Sequence, residues 1–239
     1  MYIIKRKRIS LILIALMLGI FVYSYENQKL NTDEQTQSTT ATPVSGKVIV
    51  VDAGHGVPDE GAQSSRGTTE AETNLKISLK LQNLLEQSGC TVILTRSDEN
   101  AIYDLDKTTL REKKISDIRN RVKIGNNASA DLFVSVHLNK IPQQQYWGWQ
   151  CFYNSKNEKS INLAKKIQSN LNEAIQKENK RVAMKLDTVY IMKHVEIPIS
   201  IVECGFLSNP EEEQQLLNDE YQNKLAWGIF NGIIEYFNE

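Results

Sequence analysis

Cysteine is scarce. The 239 residues hold only Cys90, Cys151 and Cys204, widely spaced and without a CxxC pair, which excludes a readable disulfide framework and a thiolate zinc knuckle. All three are expected to be buried thiols, the usual state of free cysteine. An excess of charge of either sign is also missing: 28 basic and 29 acidic residues leave a net charge of −1, so nothing advertises nucleic acid or a strongly acidic ligand. Internal repeats are absent. No apolar run reaches the roughly 20 residues of a full membrane span. What remains is a hydrophobic fraction of 41%, ordinary for a globular protein with room for one sizeable core.

The N-terminus carries the clearest compositional signal. Lys5-Arg6-Lys7-Arg8 precedes an apolar run from Leu11 to Tyr23, broken only by Gly19. A basic segment followed by a short apolar one is the pattern of an export signal. Two readings fit residues 1–25: a cleaved signal, with Ser24 and Val22 meeting the small-residue rule only weakly, or an uncleaved membrane anchor. Either places the rest of the protein outside the cytoplasmic membrane. Residues 26–46 are rich in Gln, Thr, Ser and Asn and include Pro43, which reads as a solvated linker. A catalytic domain is expected over 47–239.

Within that domain β-rich runs alternate with helical ones. Val48 to Val51 is a continuous β-branched run, typical of a strand buried on both faces. Further strands are expected at Thr91–Thr95, Leu132–Val136, Trp149–Tyr153, Val189–Met192 and Ile197–Val202. Helices are expected at Asn74–Gln87, at Ser116–Asn127, around Leu163, Ile167, Leu171 and Ile175, and across Glu211–Phe237. Ser97–Ile115 reads as a polar, irregular excursion. The alternation predicts an α/β domain: a mostly parallel twisted sheet of about six strands with helices on both faces.

The residues that could carry chemistry sit at strand ends. Asp52-Ala53-Gly54-His55-Gly56 follows the first strand, Ser135-Val136-His137-Leu138-Asn139 the third, and Val202-Glu203-Cys204-Gly205-Phe206 the last. Ligands of open α/β sheets bind at the carboxyl ends of the strands, so these side chains would converge on one cleft. Glu70 or Glu72, at the start of the first long helix, supplies a further carboxylate, and residue chemistry alone does not separate them. Two histidines and a carboxylate suit a catalytic zinc, and another glutamate suits a general base. A glycosidase built on Asp52 and Glu203 is a rival that leaves His55 and His137 unexplained. A wall- or partner-binding module is a second.

The blocks Val50-Val51-Asp52-Ala53-Gly54-His55-Gly56, Gly61-Ala62, Leu94-Thr95-Arg96, Ser135 to Asn139 and Val202 to Asn209, with Arg121 and Asn126 or Asn127 between, resemble the zinc-dependent N-acetylmuramoyl-L-alanine amidases. The resemblance covers Lys47–Glu239 in order. It implies one Zn2+ on His55, Glu70 and His137, with Glu203 catalytic. Glu70 is favoured over Glu72 by its distance from Leu75. Arg96, Asn139 and Trp147 are candidate substrate contacts; Tyr146 and Trp149 could also stack on sugar or peptide, although Trp149 equally suits a core. Val57 and Ala71 depart from the family's usual glycine and lysine, and His194 reads as surface or substrate-side. A short membrane signal, a tether and a bare catalytic domain resemble the germination-specific amidases of spore-forming bacteria. That resemblance implies peptidoglycan as substrate, a step toward muramic δ-lactam in the spore cortex, membrane contact through the N-terminus and a possible membrane-associated partner protein.

Overall fold

The computed structural model describes residues 17–20, 22–24 and 42–239. Residues 17–20 and 22–24 are helical, and among the described residues no helix is long and apolar enough to cross a membrane. Most of the expected signal and linker therefore lies outside the described residues.

Residues 42–239 carry β1 (Val48–Ala53), α1 (Glu70–Gln87), β2 (Thr91–Leu94), α2 (Leu110–Asn127), β3 (Leu132–Asn139), β4 (Gln150–Tyr153) and α3 (Glu158–Ile175). β5 (Met184–Lys185), α4 (Tyr190–His194), β6 (Ile199–Phe206), α5 (Pro210–Leu216) and α6 (Asp219–Phe237) complete it. The six strands form one sheet in the order β2-β1-β3-β6-β4-β5. It is parallel from β2 to β6, and β4 joins β6 antiparallel. Side-chain alternation sorts the sheet into two faces. Ile49, Val51, Val134 and Val136 pack with Ile77, Leu81, Leu163, Ile167 and Ile229 from α1, α3 and α6. Val50, Phe133, Ile199 and Ile201 pack with Val122, Ile191 and Met192 from α2 and α4. Helices thus cover both faces, as the alternation predicts.

Three elements depart from expectation. Val189–Met192 is not a strand: Tyr190–His194 forms one short helix whose Ile191 and Met192 are buried. A short apolar run does not distinguish a strand from a buried helical turn. The sixth strand is instead the exposed pair Met184–Lys185 at the sheet edge. The excursion after Ser97 also ends sooner, because α2 begins at Leu110 under a reciprocal capping box between Thr109 and Glu112. Its first turns expose Leu110 and Ile115, so no apolar period marks them. The three cysteines are free and buried as expected, and burial pushes the Cys151 and Cys204 thiols well above their ordinary range.

Candidate active site

The carboxyl edge of the sheet gathers His55, Glu70 and His137, with one ligand-type atom from each lying within 4.8 Å of the others. His55 occupies a left-handed backbone conformation, φ 62°, directly after β1. Such a conformation is strained for a residue with a Cβ. Two buried arginines hold it: Arg121 Nη2 donates to the His55 carbonyl at 2.6 Å, and Arg96 Nη2 donates to the Gly54 carbonyl at 3.1 Å. Gly54 leaves no room for a side chain, since a Cβ there would collide with the His137 imidazole.

Glu70 is the first residue of α1, behind the Thr69 N-cap, and is only 4% exposed. Its Oε1 lies 2.9 Å from His137 Nδ1 and 3.4 Å from His55 Nε2, while Oε2 accepts the Ala62 N–H at 2.8 Å. Gly61 permits that approach: it is left-handed, and a Cβ there would stand 2.6 Å from Glu70 Oε2. Glu72 faces away and pairs with Lys76 at 2.7 Å. The geometry therefore places Glu70, not Glu72, with the histidines.

The cluster attracts positive charge. Burial opposes an imidazolium at His55, but hydrogen bonds to Asp59 and Glu70 outweigh it and raise the pKa to about 9. Burial likewise opposes ionisation of Glu70, yet its bonds to His137 and His55 hold it well below the usual carboxylate range. One divalent cation would satisfy the same carboxylate while leaving both imidazoles neutral, as metal ligands must be. The donor chemistry, two imidazoles and a carboxylate, fits zinc with a fourth position for water.

Asp59 escaped notice in the sequence because it lies in a polar loop without periodicity. Its Oδ2 sits 3.1 Å from His55 Nδ1, with Lys114 Nζ 3.0 Å away, so it orients the ring that presents Nε2 to the cluster. Asp59→Asn is expected to weaken zinc binding by about 10- to 100-fold while the protein stays folded. Chelator competition measures it, and unchanged affinity would remove Asp59 from the site.

Glu203 follows His137 in the β3–β6 register, on the same face. Its Oε2 is buried with no hydrogen-bond partner, and burial raises the pKa to about 7. A carboxyl held so, beside the donor cluster, is poised to take and return a proton near neutral pH.

Asp52 is removed from the cleft. Its Oδ1 accepts from Thr95 Oγ1 and Arg121 Nη1, each at 2.6 Å, and its Oδ2 from Ser135 Oγ at 2.5 Å. Despite burial, Arg121 and these hydroxyls hold its carboxyl below the usual range. It cannot serve as half of a glycosidase pair. Arg96, a candidate substrate contact by sequence, is instead buried beneath the loop and commits four of its five N–H donors to the carbonyls of Ala53, Gly54, Ala71 and Asp98. Breaking one partner of a buried pair such as Asp52–Arg121 costs about 3–5 kcal/mol, so this network secures the fold and the His55 loop together.

Two neighbouring acids on α5 brace the site from the other side. Glu213 Oε1 accepts from Ser64 Oγ at 2.5 Å and Thr68 Oγ1 at 2.8 Å, tying down the loop that delivers Glu70. Glu212 accepts the backbone N–H groups of Gly148 and Phe206, each at 2.8 Å. Trp147 is half-buried beneath Lys177 Nζ at 3.9 Å, and Tyr146 is exposed. Trp149 is core, its indole N–H donating to Asn172 Oδ1 at 2.8 Å. Asn139 continues the His137 face and pairs with Phe206. His194 stacks on Tyr190 at 3.9 Å at the surface, apart from the cluster.

A mostly parallel sheet carrying this donor triad beside Glu203 at its carboxyl edge suits a metal-assisted hydrolase. The family model for N-acetylmuramoyl-L-alanine amidases matches residues 49–235. The chain belongs to that family. It is 33% identical to the germination-specific N-acetylmuramoyl-L-alanine amidase of Bacillus subtilis, over 98% of this chain and 97% of that one. The CwlD amidase of Clostridioides difficile, solved in complex with the GerS lipoprotein, superposes with a TM-score of 0.79 at 42% identity, covering 81% of this chain and 99% of that one. A second Clostridium difficile 630 amidase superposes at 0.71 with 29% identity, covering 82% and 98%.

Proposed function

We propose that this enzyme is zinc-dependent and cleaves the amide between N-acetylmuramic acid and the L-alanine of peptidoglycan stem peptides, in the spore cortex, as a step toward muramic δ-lactam. The observation that carries the chemistry is the convergence of His55, Glu70 and His137 beside the unpartnered Glu203 oxygen. His55, Glu70 and His137 would hold the ion. Bound zinc lowers the pKa of a water and polarises a carbonyl. Glu203 takes the proton of the attacking water and delivers it to the departing alanine nitrogen, so the base of one step is the acid of the next. Asp59 orients His55, and Arg121 and Arg96 hold the strained turn that presents it. Asn139, on the His137 strand, and Trp147 are the proposed substrate contacts.

Residues 47–239 act as the catalytic domain, outside the cytoplasmic membrane. Residues 1–25 export or anchor it and 26–46 tether it. A membrane-associated protein partner is part of the proposal, supported by the lipoprotein complex of the Clostridioides difficile neighbour.

Chelation is expected to remove hydrolysis of purified peptidoglycan and added zinc to restore it; activity persisting in excess chelator with no protein-bound metal would sink the zinc reading. Deleting the gene is expected to leave spores whose cortex lacks muramic δ-lactam and which germinate poorly, with normal vegetative growth. Normal lactam content, or a defect in separating daughter cells, would reassign the enzyme to general wall remodelling.

A further inference from the structure

Residues paired directly across neighbouring strands present their side chains to one face of a sheet. His137 pairs with Glu203 and Glu203 with Gln150, so the three stand in a row across β3, β6 and β4. Arg181 extends the row. Its Nη1 donates to Gln150 Oε1 at 3.2 Å and its Nε to the Trp147 carbonyl at 3.4 Å. The guanidinium carbon sits 4.7 Å from the Phe206 ring centroid and 5.9 Å from that of Tyr146.

These contacts fix the group without neutralising it. Among the described residues Arg181 forms no ion pair, and Glu212, which feels its charge, spends its oxygens on the N–H groups of Gly148 and Phe206. A half-buried, permanently charged planar donor with no anion of its own is built to receive a carboxylate. The sugars of the substrate are uncharged once the lactyl carboxyl is in amide linkage, so such a cation marks the peptide side of the cleft.

We propose that Arg181 binds a carboxylate of the departing stem peptide: the free α-carboxylate of a γ-linked D-glutamyl residue directly after the L-alanine. This assignment rests on the amidase reading and makes Arg181 a specificity determinant for stems whose second residue is not amidated. The spacing agrees. Two strand spacings of about 4.8 Å separate His137 from Gln150, and Arg181 lies one hydrogen bond farther. On the peptide, two extended residues reach about 7 Å from the scissile nitrogen, and a charge-assisted contact adds about 2.8 Å.

The test uses the zinc-loaded full chain and two muramyl tripeptides, one with D-isoglutamate and one with D-isoglutamine at the second position. Arg181→Gln is expected to lose about 10- to 100-fold in kcat/KM on the acid, mainly through KM, and at least tenfold less on the amide. Arg181→Lys, which keeps the charge but not the fork, should fall between. Equal losses on both substrates, or none on the acid, overturn the assignment. Calorimetric binding of the dipeptide L-alanyl-D-glutamine, whose α-carboxylate is free and whose γ-carboxyl is an amide as in the stem, needs no turnover and separates the two readings. If the wild type cleaves neither tripeptide but dipeptide affinity still falls in Arg181→Gln, the amidase reading fails and the carboxylate site stands. Affinity unchanged by the substitution removes the site.

Discussion

Replacing Glu203 with glutamine is expected to cut kcat by about 10²- to 10⁴-fold, the scale of positioned proton transfer. Zinc content and thermal unfolding should match or exceed the wild type, because the amide keeps the side chain's volume and removes a buried ionisable oxygen that has no partner. The same proton shapes the wild-type pH profile. A base works only when ionised, so kcat/KM falls as the pH drops through the Glu203 pKa. Burial raises that pKa to about 7, and a nearby bound cation lowers it, so the acid limb should lie at or below neutrality. That limb should vanish in the residual activity of the glutamine variant. Near-normal turnover there would remove Glu203 from the mechanism.

The second large effect is loss of the metal. His55→Ala, Glu70→Ala and His137→Ala are each expected to purify without stoichiometric zinc and to lose hydrolysis. One missing ligand leaves two, too few for the three-protein-ligand catalytic pattern. Glu72→Ala is the internal control: its side chain is exposed on another face of the helix, paired with Lys76, and the variant should retain full zinc. Elemental analysis decides each case. Full occupancy in any of the three removes that residue from the site, and zinc loss in the Glu72 variant with retention in the Glu70 variant would reverse the assignment.

Much of this site was legible before the fold was known, for a physical reason. Parallel strands buried on both faces read as β-branched runs, and the polar residue that ends each run must lie at the carboxyl edge, where ligands bind. His55, His137 and Glu203 all follow such runs, and the β1–β3 and β3–β6 registers bring them to one edge. Glu70 against Glu72 was not decidable from residue chemistry, because either suits the first turn of a helix. The contacts of Glu70 with His137 and His55, the Gly61 approach and the Ala62 hydrogen bond distinguish them. The supporting residues were less legible still. Arg96, in the Leu94-Thr95-Arg96 block, was a candidate substrate contact. Its burial appears only when the carbonyls of Ala53, Gly54 and Ala71 are seen to converge on it. Asp59, Glu212 and Glu213 act through contacts that no periodicity encodes. The short helix at Tyr190–His194 and the early start of α2 were missed because the first run is too short to show a period and the second start carries its apolar residues outward.

The central claim is the bond that breaks. Purified peptidoglycan digested with the zinc-loaded enzyme and assayed for new end groups should gain free L-alanine amines, released in step with muramic acid residues that have lost their peptides, and no new reducing sugars. New reducing ends without free alanine amines would contradict the account and make the enzyme a glycosidase.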